Sequence, residues 1–242
     1  MDLPSITGRL ADEMADIDFG PPAAWVYNPL EYARNPHFEF LERFGAGQKD
    51  LLLVGMNPGP WGMAQTGIPF GAVSAVRDWI GISERTVGSP EHQHPKRPVL
   101  GFECRREEVS GTRLWGWAES LWGTPERFFS QAWVANYCPL LFLDRAGRNL
   151  TPNRLAAEDR ELLIAPCDRA LREIAETLQP RWMIGIGVFA EARLRQACDG
   201  LPGKIGRILH PSPASPAANR GWARQATRQL GDLGFELPRA GG

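Results

Sequence analysis

The sequence predicts an α/β fold: a three-layer sandwich whose central, mostly parallel four-stranded sheet is flanked by helices. Three observations lead there. Four short apolar runs recur along the chain, each is followed by a loop rich in turn-forming residues, and helical patterns come between them. Strands that alternate with helices pack as a parallel sheet covered on both faces. The chain has 242 residues, 43% of them apolar and 23% charged, which suits one globular domain (1–242) with a substantial core rather than a disordered chain.

Taken in order, residues 1–48 form a helical preface in which Ile6, Leu10, Met14 and Ile17 share one helical face, and Pro21-Pro22 then turns the chain. The first buried strand is Leu51–Val54. Gly81–Pro98, with its three prolines, His92 and His94, reads as a surface loop. Trp133–Ala135 is the second strand. A helix is expected from about Leu155 to Leu178, started by Thr151-Pro152 and kinked or divided at Pro166. The third strand is Trp182–Ile186, followed by a helix over Phe189–Cys198 that Gly200 ends. After the fourth, Ile205–Leu209, the residues Trp222, Ala226, Leu230 and Leu233 make a closing apolar stripe.

Composition excludes several classes. A net charge of −1 rules out a chain-wide polybasic binder, though not a local basic groove. No apolar run approaches a membrane span, and Met1-Asp2-Leu3-Pro4 begins no secretory signal, so the expected compartment is the cytoplasm. Cys104, Cys138, Cys167 and Cys198 contain no C-x-x-C pair. They read as buried reduced thiols, and no metal or cofactor is expected. Only three of the 27 basic residues are lysines; arginine suits phosphate, but a GC-rich coding bias gives the same excess.

Parallel sheets bind ligands beyond the carboxyl ends of their strands, and there the sequence turns polar. The first strand runs into Gly55-Met56-Asn57-Pro58-Gly59-Pro60-Trp61-Gly62-Met63-Ala64-Gln65. This rigid turn brings backbone N–H groups close to a ligand, but no Gly-Lys-Ser/Thr closes it, so it is no phosphate loop. Asn57 can orient a water and cannot act as a strong base. A lone Asn more often ties a turn together. The second strand ends in Asn136 and the fourth in His210-Pro211-Ser212-Pro213-Ala214-Ser215-Pro216, whose prolines fix the imidazole. Opposed amides in one crevice suit the edge of a planar ring such as a nucleobase. His37, His92 and His94 lack that setting.

These stretches together resemble the single-strand-selective monofunctional uracil-DNA glycosylases, within the uracil-DNA glycosylase superfamily. Gly55–Gly71 is similar to the first family motif almost throughout. His210-Pro211-Ser212-Pro213 with Asn219-Arg220-Gly221-Trp222 is similar to the last. Val99–Cys104, Cys138–Leu143 and Gly147–Pro152 add to a resemblance that spans about Leu51 to Leu233.

The resemblance implies roles. Asn57 would hold the water that attacks the sugar C1′, and His210 would donate to uracil O2 and stabilise the departing base. Asn136 would read the N3 and O4 edge, Phe70 would stack on the ring, and the backbone of Met56, Gly59 and Met63 would line the pocket. Gly147, Arg148, Asn149 and Arg220 would contact DNA. The Pro211, Ser212, Pro213, Ala214 and Ser215 loop would wedge into the helix, with Ala214-Ser215 smaller than the Arg-Asn of animal members. The implied activity is hydrolytic excision of uracil, and of 5-hydroxymethyluracil, from single- or double-stranded DNA by a monomer without lyase chemistry; the arginine bias suggests a GC-rich bacterium, so the expected place is the bacterial cytoplasm at the nucleoid. Two alternatives stay open: the same fold acting on deaminated purines such as xanthine or hypoxanthine, and a non-catalytic DNA-binding relative.

Overall fold

The structure is a computed structural model that describes residues 2–83 and 86–238. Glu84 and Arg85 of the expected Gly81–Pro98 loop lie outside the described residues, as do Met1 and 239–242. Helix α1 (Leu3–Ala15) has Pro4 in its first turn and Asp2 as its cap, accepting from the Ser5 N–H at 2.9 Å. Strand β1 (Trp25–Tyr27), α2 (Pro29–Tyr32) and α3 (Arg34–Phe44) follow. The helical preface therefore contains a strand, and three residues are too few for any alternation to announce it. Next come β2 (Leu51–Gly55), the short α4 (Met63–Thr66), α5 (Val109–Trp122), α6 (Pro125–Gln131) and β3 (Ala132–Asn136). The chain continues through β4 (Leu141–Leu143), β5 (Asn149–Leu150), α7 (Ala157–Leu178) and β6 (Trp182–Ile186). It closes with α8 (Val188–Ala197), β7 (Lys204–Ile208) and α9 (Trp222–Asp232).

The main sheet has the order β3-β2-β6-β7 with every neighbouring pair parallel. Strands β2 and β6 are buried along their whole length, and for that reason they read as unbroken apolar runs. Helix α8 packs on β6, β7 and β2, α7 packs against α8 and α1 against α7; α6 sits on β3, and α9 packs on β7 and against α5. A second, antiparallel sheet of β1, β4 and β5 was not anticipated. The N-terminal side chains Leu3, Ile6, Leu10 and Met14 belong to the same buried core as β2 and β6.

Three expectations need correcting. Helix α7 is not divided at Pro166: the ring deletes one main-chain bond, but Leu163, Cys167, Ala170 and Leu171 on either side are buried at helical spacing and keep both halves in one helix. Thr151-Pro152 starts only a single tight turn, Pro152–Arg154, and α7 begins at Ala157 with Glu158 and Asp159 in its first turn. The loop before Pro98 is not all surface either. His94 is buried, its Nδ1 accepts the Lys96 N–H at 3.1 Å, and its Nε2 faces the Arg145 carbonyl at 3.3 Å. All four cysteines are buried and unpaired. Among the described residues no helix is long and apolar enough to cross a membrane.

Candidate active site

At the carboxyl ends of β2, β3 and β7 lies a cleft of about 590 Å³ that Asn57, Asn136 and His210 all line. Met56, Gly59, Met63 and Phe70 join them, with Asn149 and Ser212 to Ser215 at the mouth. The side chains expected to do the chemistry and to hold the base therefore share one site.

Asn57 follows β2 directly, and the main chain dictates how its amide stands. Its Nδ2 donates to the carbonyls of Leu140 and Leu150, each at 3.3 Å, and to that of Pro58 at 3.5 Å. With the NH₂ group so engaged, Oδ1 is the end left to accept from another donor. An acceptor held in this way positions a water without deprotonating it.

His210 is fixed by the complementary logic. The Ser212 N–H donates to its Nδ1 at 3.1 Å, so in the neutral ring the proton sits on Nε2, which becomes a donor. Burial pushes its pKa below the ordinary histidine value and keeps it neutral. The loop that carries it is tied down from α5: Arg113 donates to the Pro211 carbonyl at 3.0 Å and to Asn219 Oδ1 at 2.8 Å. Asn219 in turn donates to the Pro213 carbonyl at 2.9 Å. Pro213 and Ala214 remain exposed at the tip.

Asn136 ends β3 in register with Gly55 of β2. A Cβ at Gly55 would stand 2.5 Å from Asn136 Oδ1 and 2.6 Å from the Phe70 ring, so the missing side chain is the space both occupy. Phe70 adopts φ +54, an unusual conformation for a side-chain-bearing residue. Its carbonyl holds that turn by accepting from the indole of Trp115 at 3.0 Å, and its ring centroid lies 6.2 Å from that of His210. Behind Asn136, the Tyr137 hydroxyl donates to Asp168 at 2.9 Å, and Asp168 also pairs with Arg193. Burial raises the Tyr137 pKa, and the network anchors the strand end.

The other expected DNA contacts are more scattered. Asn149 lines the cleft and donates to the Pro58 carbonyl at 3.4 Å. Gly147 has φ +78, and the His94 ring packs where its side chain would be. Arg148 is exposed and paired with Asp144 at 2.7 Å. Arg220 stands outside the cleft, in a surface groove with Arg224 and Arg228.

Glu108 was missed. It lines the cleft, its Oε1 accepts the Ser110 N–H at 3.3 Å to cap α5, and burial raises its pKa. Its side chain lies where Cβ atoms at Gly59 and Gly62 would be, 2.7 and 2.9 Å away. An acidic residue two before Ser110, ahead of Leu114, Trp115, Ala118 and Trp122, was the available signal of a capped helix.

Three comparisons bear on this geometry. The family model described as the uracil DNA glycosylase superfamily matches residues 42–230. The rat protein named single-strand selective monofunctional uracil-DNA glycosylase is 49% identical over 94% of this chain and 82% of its own length. Its bovine counterpart is 49% identical over 94% of this chain and 84% of its own. A crystal structure of SMUG2 from Pedobacter heparinus has a TM-score of 0.63 at 16% identity, covering 95% of this chain and 97% of that one, a likeness of fold. A family model that takes in the strands of the main sheet, and near-half identity along almost the whole chain, leave one assignment: the chain belongs to the uracil-DNA glycosylase superfamily, among its single-strand selective monofunctional members.

Proposed function

We propose that this protein hydrolyses the N-glycosidic bond of uracil in DNA and leaves an abasic site without cutting the strand. The observation that carries the reading is the opposed polarity of Asn57 and His210. One side chain offers an acceptor, the other a neutral N–H donor, and both face a single cleft. Glycosidic cleavage needs those two things. As the C1′–N1 bond breaks, its electron pair passes into the uracil ring, and a donor from Nε2 of His210 to O2 stabilises the anion. Water held by Oδ1 of Asn57 adds to C1′, and the proton it sheds passes through solvent to the departing anion, which leaves as neutral uracil. No covalent nucleophile takes part.

Asn136 presents an amide to the base edge, and Phe70 provides a face for stacking. The target nucleotide has to leave the stack to enter such a cleft, at a cost of a few kcal/mol that is least in single strands. The small Ala214-Ser215 tip fits that preference, and the names of the mammalian relatives point the same way.

End-labelled oligonucleotides with one uracil, single-stranded or paired with G or A, test the proposal when treated with hot alkali after incubation. Breaks at uracil that need alkali and vanish in Asn57→Ala are expected. Parallel substrates carry 5-hydroxymethyluracil, xanthine or hypoxanthine. Breaks at a purine alone would move the substrate class, and DNA binding without breaks anywhere would remove the catalytic reading.

A further inference from the structure

We propose that the thioether of Met63 fixes which way round the Asn136 amide stands, and so which pyrimidine edge the cleft accepts. The inference rests on the reading that Asn136 contacts the base. Nδ2 of Asn136 donates to Sδ of Met63 at 3.3 Å, while Oδ1 stands on the Gly55 side.

The orientation matters because an amide has a donor and an acceptor of almost equal shape. Uracil offers a donor at N3 and an acceptor at O4. Cytosine offers the reverse, an acceptor at N3 and a donor at N4. An amide free to make a half-turn serves either edge equally well, so Asn136 discriminates only if something opposes the half-turn. Thioether sulfur accepts and never donates. Turning the amide round would bring Oδ1 against Sδ, two acceptors with no proton between them, and lose the present bond.

Met63 is placed firmly enough to do this. It opens α4, whose Gln65 donates to the carbonyls of Pro60 and Pro98 at 2.8 and 3.0 Å and accepts the Leu100 N–H at 2.8 Å. Space-filling does not explain the choice of residue. Behind Met63 and Asn136 is a further cavity of about 50 Å³, bordered also by His37, so the wall is not tightly packed, and leucine would fill the same volume. What leucine lacks is the lone pair. Met63 is thus a positioning residue that acts through Asn136.

Met63→Leu tests this, with Asn136→Asp as control and free uracil and free cytosine as competing inhibitors of uracil excision. In Met63→Leu the preference for uracil over cytosine should narrow by about fivefold, the worth of one weak neutral hydrogen bond. The side-chain amide resonance that disappears in Asn136→Asp should also exchange faster with solvent in Met63→Leu. If leucine disturbs α4, Met63→Ala provides the same comparison. Equal weakening of both bases overturns the assignment, because loss of packing alone does that. A preference moved by Asn136→Asp and untouched by Met63→Leu also overturns it. A preference untouched by both takes Asn136 itself out of base reading.

Discussion

Asn57 and His210 are held in the same way: the main chain engages one end of each side chain, and in the proposed mechanism the other end meets the substrate. Asn57→Ala should therefore lower single-turnover excision by at least about a hundredfold while DNA affinity, read by fluorescence anisotropy, holds. A collapse of affinity would make Asn57 structural. His210 titrates lower than an exposed imidazole because burial disfavours its charged form. Its neutral donor is thus favoured more than in an exposed imidazole, and the rate should be flat above about pH 7.5. An inflection within that flat region that His210→Ala abolishes would contradict a neutral donor. Both residues were legible because each follows an apolar strand inside a proline-stiffened loop. Arg113 was not. Its partner Pro211 is 98 residues away, and an arginine on a helix gives no sign of which distant carbonyl it will meet.

At the scale of elements, the end of β2 and the front of α5 shape the cleft. Gly55→Ala would drive a methyl into Asn136 and Phe70, so excision should fall steeply with only a small change in melting temperature; unaltered kinetics would show that both side chains can yield. Arg113→Ala should free the Pro211–Ser215 loop. With that loop as the proposed wedge, duplex substrates should slow several-fold more than single-stranded ones, and equal slowing would place Arg113 in some other role. Strands β2 and β6 were readable from sequence because full burial makes them continuously apolar, whereas β7 exposes Lys204 and Arg207 and showed only through its apolar remainder. Strands β1, β4 and β5, of two or three residues each, are too short for a period. Helices α5 and α6 were overlooked for another reason: Trp115, Trp117, Trp122, Phe128 and Phe129 are all buried, and aromatic residues mark strands as readily as helices.

For the whole molecule, His37 links stability to pH. Its Nδ1 donates to the Gly67 carbonyl at 2.7 Å, Nε2 is buried without a partner, and burial lowers its pKa to about 4. The folded state thus holds it neutral while the unfolded chain takes up a proton near pH 6.5. Stability is full above that value and declines as pH falls toward 4, by up to about 3 kcal/mol. Urea unfolding across that window should show the decline, and His37→Gln should flatten it; an equal slope in the variant would assign the effect elsewhere. One feature of the sheet reaches further than any of these side chains. Neighbouring strands stand roughly 4.8 Å apart, and the order β3-β2-β6-β7 sets two such steps between the strand that delivers Asn57 and the one that delivers His210. The sheet is a ruler, and two of its divisions, roughly 10 Å, separate the end that would hold water at C1′ from the end that would donate to O2. The strand between them is β6, whose last residue, the buried Ile186, is followed directly by Gly187 at the start of α8. Exchanging side chains can alter which ring is held, but widening the measure itself would require a different order of strands.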